Sequence, residues 1–180
     1  FAELVGDPDF TLEQHIEFSV LISESGNNLL SIISNIMDLS KIEAGQVQVK
    51  KCEFSVNRLI KSVQKEFARK AMLKGIEIRL DPLNPTEEIV IESDETKVRQ
   101  ILTNLVGNAI KFTEVGFIEI GIKITENSIQ FQVKDTGIGI PEAYHDKIFE
   151  RFRQVEAPET RKYGGNGLGL AISKSLVEIL

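Results

Sequence analysis

Two hydrophobic rhythms divide the chain. Between Thr11 and Gly45 the apolar positions recur at helical intervals. Ile22, Leu29, Ile33 and Ile36 follow one another at spacings of seven, four and three, and Leu30 and Met37 widen the stripe. No proline interrupts this run. Thr11 with Gln14 three positions on has the form of a capping box, and Gly45 after Ala44 has the form of a stop, so the pattern predicts one helix reaching about Ile42. A helix of that size measures ~45 Å at 1.5 Å per residue. Ahead of it, Phe1 to Val5 reads as the end of another helix, stopped by Gly6 with Pro8 beyond. A long helix with one apolar stripe needs a cover. A helical hairpin that dimerises into a four-helix bundle provides one, and an ordinary core helix has the same pattern.

After Gly45 the period changes. Gln46 to Phe54 alternates weakly and predicts a strand. Val56 to Ala71 returns to helical spacing through Leu59, Ile60, Val63 and Phe67. Ile76, Ile78 and Leu80 alternate, as do Ile118, Ile120, Ile122 and Ile124, then Ile129, Phe131 and Val133; each set predicts a strand with one buried face. Glu126-Asn127 suits the hairpin turn between the last two. Ser93 or Asp94 would cap a helix 94–112 that carries Val98, Ile101, Leu102, Leu105, Val106, Ala109 and Ile110, and a final helix starts near Gly167. This mixture predicts an α+β sandwich, a sheet with helices layered on one face.

Charge and composition narrow the function classes. Lys and Arg total 21 against 27 for Asp and Glu, a net charge of −6, which argues against a nucleic-acid binder driven by phosphate attraction. No apolar run approaches the ~18 residues of a membrane span, and no secretory signal pattern opens the chain, so no membrane contact is expected in these residues. The single cysteine, Cys52, cannot form an internal disulfide and fits a reducing, cytoplasmic setting. With only His15 and His145 beside it, zinc-finger patterns are excluded, and both histidines read as surface residues.

Three local patterns carry chemistry. On the helix 94–112, Asn104, Asn108 and Lys111 form a stripe at spacings of four and three beside the apolar face. Amide oxygens are hard ligands for Mg²⁺ and an ammonium pairs with phosphate oxygens; a solvated polar edge would look the same. The segment Asp135-Thr-Gly-Ile-Gly-Ile140 directly follows a strand. A carboxylate there can accept a hydrogen bond from an exocyclic amine, and glycines two apart let backbone approach a flat ligand, although a plain glycine turn reads alike. Gly164-Gly-Asn-Gly-Leu-Gly-Leu170 leads into the last helix, where successive backbone N–H groups can hold an anion. It lacks the Gly-Lys-Ser/Thr of a P-loop and the spacing of a dinucleotide fingerprint. Between the last two patterns, Arg153 to Tyr163 has few apolar residues and reads as a lid, with Phe149 and Phe152 expected to anchor one end in the core.

The four motifs taken in order resemble those of the sensor histidine kinases of two-component systems. Gln100 to Thr113 resembles their N box, Asp135 to Ile140 the G1 box, Ile148 to Phe152 the F box and Gly165 to Leu170 the G2 box. Upstream, Glu24 to Leu30 and Asp38 to Gly45 resemble the second helix of the dimerisation domain and its exit, so the resemblance spans essentially the whole chain. It implies three regions: 1–45 the tail of the dimerisation and phosphoacceptor domain, 46–53 a linker strand, and 54–180 a catalytic ATP-binding domain of the Bergerat type. Asp135 would hold the adenine amino group, Asn108 would bind Mg²⁺, and Asn104 and Lys111 would serve the reacting phosphates. Gly137, Gly139 and Ile140 would line the base pocket, and Gly165, Gly167, Leu168 and Gly169 would border the phosphates. Phe152, Arg161, Lys162 and Tyr163 would belong to the lid region around the nucleotide. The expected cofactors are ATP and Mg²⁺, and the expected partners a second copy through the helical domain and a response-regulator receiver domain.

Departures from the family pattern shape the expectation. The phosphoacceptor histidine would precede residue 1, so this chain is expected to bind ATP without phosphorylating itself; the last sheet strands would follow residue 180. Asn166 stands where Thr is usual. ATP hydrolases of the same fold use a Glu one turn before the metal-binding Asn as a base for water. Here that place holds Asn104, which cannot take a proton, and this favours transfer to an external nucleophile. A non-catalytic dimerising scaffold is the remaining alternative.

Overall fold

The structure, a computed structural model, describes residues 10–82, 87–126, 128–154 and 166–180. It divides into two compact units, one ending at Gln46 and one running from Val47 to Leu180. The helix end expected at Phe1–Val5 lies outside the described residues.

Among its described residues the first unit holds one helix, α1 (Leu12–Glu43). Its start is the capping box read from the sequence: Thr11 Oγ1 accepts from the Gln14 N–H, and Gln14 Oε1 accepts from the Thr11 N–H at 2.8 Å. Gly45 takes a left-handed φ of 62° just past the end. Leu29, Leu30, Ile33, Ile36 and Met37 are all exposed on it. His15 is half-buried rather than on the surface, edge-on to the Phe10 ring, and its Nδ1 is buried without a partner among the described residues. His145 is exposed, as expected.

The second unit runs β1 (Cys52–Ser55), α2 (Val56–Leu73), β2 (Ile76–Leu80), β3 (Val90–Ser93), α3 (Glu95–Phe112), β4 (Gly116–Ile124), β5 (Ile129–Asp135) and α4 (Gly169–Ile179), with two single 3₁₀ turns at Glu142–Tyr144 and Lys147–Phe149. β1 pairs antiparallel with β3. β2 runs parallel to β4, and β4 antiparallel to β5, so the three-stranded sheet is mixed. Strand alternation puts Ile118, Ile120 and Ile122 of β4 on the core face, where they meet Leu59, Ile60 and Val63 of α2 and Val98, Leu102, Val106 and Ile110 of α3. The opposite face is polar: Arg79 bridges Glu119 at 2.9 Å and lies over the Phe117 ring at 3.8 Å.

Two expectations about strands are corrected. The strand expected over Gln46–Phe54 is confined to Cys52–Ser55, because only those residues find a ladder partner. The residues before it are held by α3 instead: Lys97 Nζ donates to Gln48 O at 2.8 Å, and the Lys50 N–H donates to Asp94 Oδ2 at 2.9 Å. β3, the partner of β1, lies outside the elements the sequence predicts, since four residues with two exposed positions carry almost no periodic signal.

Candidate functional site

α3 organises the site. Asp94, not Ser93, is its N-cap, accepting from the Lys97 N–H. Burial by itself pushes the Asp94 carboxyl pKa up. The Lys97 ammonium at 2.6 Å and the N–H groups of Lys50 and Lys97 overcome that and hold it down at about 2. With its apolar side fixed in the core, α3 leaves Asn104, Asn108 and Lys111 half-buried along the neighbouring stripe. Asn104 to Lys111 spans ~10 Å of helix at 1.5 Å per residue.

The Asp135 turn meets the C-terminal end of α3. Phe112 O accepts from the Ile138 N–H at 3.3 Å. A Cβ at Gly137 would lie 2.5 Å from that same oxygen, so this approach of loop to helix requires glycine. Asp135 Oδ1 accepts from the Gly137 N–H at 2.8 Å, which closes the turn; among the described residues no hydrogen bond engages Oδ2. The Thr136 N–H donates to Phe117 O, and Thr136 Oγ1 accepts from the Phe117 N–H, so the exit of β5 is tied to the start of β4. Gly139 and Ile140 are exposed, and Ile140 O lies 2.9 Å from His145 Nε2.

The glycine segment before α4 meets the other end of the stripe. Asn104 Nδ2 donates to Gly169 O at 3.3 Å and to Ser173 Oγ at 3.2 Å. Gly167 adopts φ 66°, and a Cβ there would fall within 2.9 Å of the Phe152 and Arg153 backbone. The Phe152 N–H donates to Gly167 O at 3.0 Å, which draws together the two ends of the segment expected to form a lid. Leu168 is fully buried, and Asn166 Oδ1 accepts from its N–H at 3.2 Å, a local turn that uses the side chain found in place of Thr. Arg161, Lys162, Tyr163 and Gly165 lie outside the described residues.

Phe149 and Phe152 do not anchor in the core. They are 40% and 65% exposed. Lys147–Phe149 is one 3₁₀ turn packed by α4, with Lys174 Nζ 5.9 Å from the Phe149 ring. Phe152 has a left-handed φ of 58°, because its backbone is committed to the bond with Gly167.

The family described as histidine kinase-, DNA gyrase B-, and HSP90-like ATPase matches residues 93–180. The signal transduction histidine-protein kinase BarA of Escherichia coli K12 is 42% identical over 161 residues, which make up 87% of this chain and 17% of BarA. The crystal structure of full-length ShkA in complex with AMPPNP superposes at a TM-score of 0.78 with 31% identity, covering 97% of this chain and 36% of ShkA. The catalytic domain of the histidine kinase ThkA superposes at 0.63 with 32% identity, covering 72% of this chain and 81% of that domain. The chain belongs to the sensor histidine kinase family. ThkA has also been solved with the response regulator protein TrrA; that kinase chain aligns at a TM-score of 0.61 and 25% identity over 82% of this chain and 42% of its own. The chain spans 17% of the length of BarA, and the ATPase-family match falls within the second unit.

The residues present fit a metal-chelated nucleotide as a histidine kinase uses one. Lys111 is half-buried against the Phe112 ring at 4.8 Å, and burial lowers its pKa, so it is a cation short of solvent that an anion would relieve. Thr113, one residue beyond Phe112, is fully buried with its Oγ1 unpartnered among the described residues. No group of three or more His, Cys, Asp or Glu side chains among the described residues could cage a metal. Lys74 and Ser173 fall outside the motifs read from the sequence. Lys74 Nζ donates to Ile110 O at 2.7 Å and to Lys111 O at 3.3 Å, placing a charge on the last carbonyls of α3; no local pattern announces such a contact.

Proposed function

We propose that this chain binds ATP with Mg²⁺ and presents the γ-phosphoryl to a histidine nitrogen on a helical dimerisation domain, for onward transfer to a response-regulator aspartate. Residues 1–45 belong to that helical domain, 46–53 connect, and 54–180 hold the nucleotide. The observation that carries this reading is the convergence on one helix. The Asp135–Gly137 turn seats on the end of α3 at Phe112, the glycine segment seats on the same helix at Asn104, and Asn108 and Lys111 lie between them.

Roles follow from what each group leaves free. Asp135 Oδ2 accepts the adenine amino group while Oδ1 holds the turn. Gly137, Gly139 and Ile140 flank the base, and Gly165, Gly167, Leu168 and Gly169 the phosphates, with Phe152, Arg161, Lys162 and Tyr163 around the nucleotide. Asn108, with Asn104 beside it, offers an amide oxygen to Mg²⁺, and Lys111 supplies a cation to the phosphates. Bound Mg²⁺ offsets charge on the triphosphate. The rest of the catalysis is positioning and electrostatics by these side chains. Asn104, where hydrolases of the same fold carry Glu, cannot take a proton from water, which supports transfer over hydrolysis. The exposed stripe of α1 supports pairing with a second copy, and the resemblance to ThkA supports a receiver-domain partner. No helix among the described residues is long and apolar enough to cross a membrane.

Calorimetric titration with Mg²⁺ and AMPPNP tests the reading. Asp135→Asn is expected to weaken binding ~10- to 100-fold, the value of a charge-assisted hydrogen bond. Equal affinity in both proteins would remove Asp135 from the base pocket. With labelled ATP, acid-labile label is expected on a supplied phosphoacceptor helix bundle, and its absence despite binding would leave the transfer step without support.

A further inference from the structure

Asn104 is read above as a reacting-site residue, yet its side chain is already engaged. Its amide reaches across to α4, where it finds Gly169 O at 3.3 Å and Ser173 Oγ at 3.2 Å. A backbone carbonyl only accepts, so the NH₂ end must face α4 and the amide oxygen is the end left for other work. Ser173 is 4% exposed, on the buried side of α4 between Ile172 and Leu176, and a hydroxyl so placed costs free energy unless it is bonded. Asn104 is the partner the structure gives it.

The consequence concerns the glycine segment. The N-cap of α4 is Leu168, in helical conformation, whose side chain caps nothing; the Asn166 side chain bonds its N–H, a contact within the same segment and not to α3. Its first turn is therefore held on α3 by the burial of Leu168 and Ile172 and by the Asn104 amide. Gly167 and Gly169 lie in or beside that turn, so whatever fixes it also fixes the backbone N–H groups that would meet phosphate.

We propose that Ser173 is a positioning residue for the nucleotide site, which with Gly169 O latches the Asn104 amide and so locks the glycine segment onto α3. The latch fixes the orientation of the Asn104 amide as well, with its NH₂ committed to Gly169 O and Ser173 Oγ. This rests on the ATP-binding reading given above, and it assigns to Ser173 a part in nucleotide affinity that acts through the Asn104 amide, to which its hydroxyl is bonded.

Two substitutions separate the latch from simple packing. Ser173→Ala removes the hydroxyl and keeps a strong helix former; Ser173→Thr keeps the hydroxyl. Two readouts are taken on the full chain: affinity for AMPPNP with Mg²⁺ by calorimetry, and amide hydrogen exchange of residues 167–172 against β4 as an internal reference. For Ser173→Ala the expected outcome is about three- to tenfold weaker binding, the size of one hydrogen bond, with faster exchange in 167–172 and unchanged exchange in β4. Ser173→Thr is expected to restore both to within about twofold of wild type. Unchanged affinity and exchange in Ser173→Ala would overturn the proposal, as would equal losses in both variants, which would mark a packing effect. Wild-type protein that binds no AMPPNP would instead sink the nucleotide reading, and the exchange comparison would still decide whether the latch exists.

Discussion

Replacing Asp94 by Asn probes how strongly α3 is tied to the segment that precedes β1. Asp94 is 3% exposed; Oδ1 caps the helix, and Oδ2 accepts from the Lys50 N–H at 2.9 Å and from Lys97 Nζ at 2.6 Å. Asn is as good an N-cap as Asp, so the cap itself survives the change. The charge is lost, and an amide NH₂ in place of Oδ2 would confront two donors. The carboxyl pKa falls from 3.8 to about 2 on folding. At ~1.36 kcal/mol per pH unit that depression is worth ~2 kcal/mol of stability at neutral pH. The sign is that of a depressed acid. The stabilisation is fully present above the unfolded value of 3.8 and drains away as pH falls through the folded value of about 2. Urea denaturation followed by circular dichroism at pH 7, 4 and 2 is the assay. Asp94→Asn should be less stable by ~2 kcal/mol at pH 7, with the gap closing to below ~0.5 kcal/mol at pH 2. A gap that stays constant with pH, or is absent at pH 7, would refute the reasoning.

Two further outcomes are expected. Gly137→Ala puts a Cβ 2.5 Å from Phe112 O, a backbone atom that cannot swing aside, so thermal denaturation should show a loss of ~1–3 kcal/mol together with weakened AMPPNP binding. A wild-type melting curve would show that the turn and α3 do not meet as described. Lys111→Met should weaken Mg²⁺-AMPPNP ~10- to 100-fold while leaving the melting temperature equal or higher. Its ammonium is partly desolvated, a penalty present below its lowered folded pKa and lifted as pH rises through it, and Met does away with it at every pH. A variant that loses stability and keeps affinity would assign Lys111 to structure alone.

Most of the regular elements were legible in the sequence because each follows from short-range physics. The capping box of α1, the helical spacing of α2 and α3, and the alternation in β2, β4 and β5 depend only on residues a few positions apart. The strand at Gln46–Phe54 was overdrawn and β3 overlooked for the converse reason. A four-residue ladder exists only where a distant partner meets it, and Cys52–Ser55 found theirs nearly forty residues on, at Val90–Ser93. The two phenylalanines show the same limit. Apolar character suggests burial, but Phe152 is exposed because a bond from its backbone to Gly167 sets the chain direction.

The order and chemistry of the motifs Asn104–Lys111, Asp135–Ile140 and Gly165–Leu170 are properties of the chain itself, and they sufficed to point at a sensor histidine kinase. Local sequence cannot express which atom of each motif is already spoken for. That the Asn104 NH₂ is committed to α4, and that Ser173 of α4 and Lys74 at the end of α2 act on α3, depend on close approach between segments far apart in the chain. Hydrogen bonds of ~3 Å have no periodicity to read, so only the packed tertiary structure decides them.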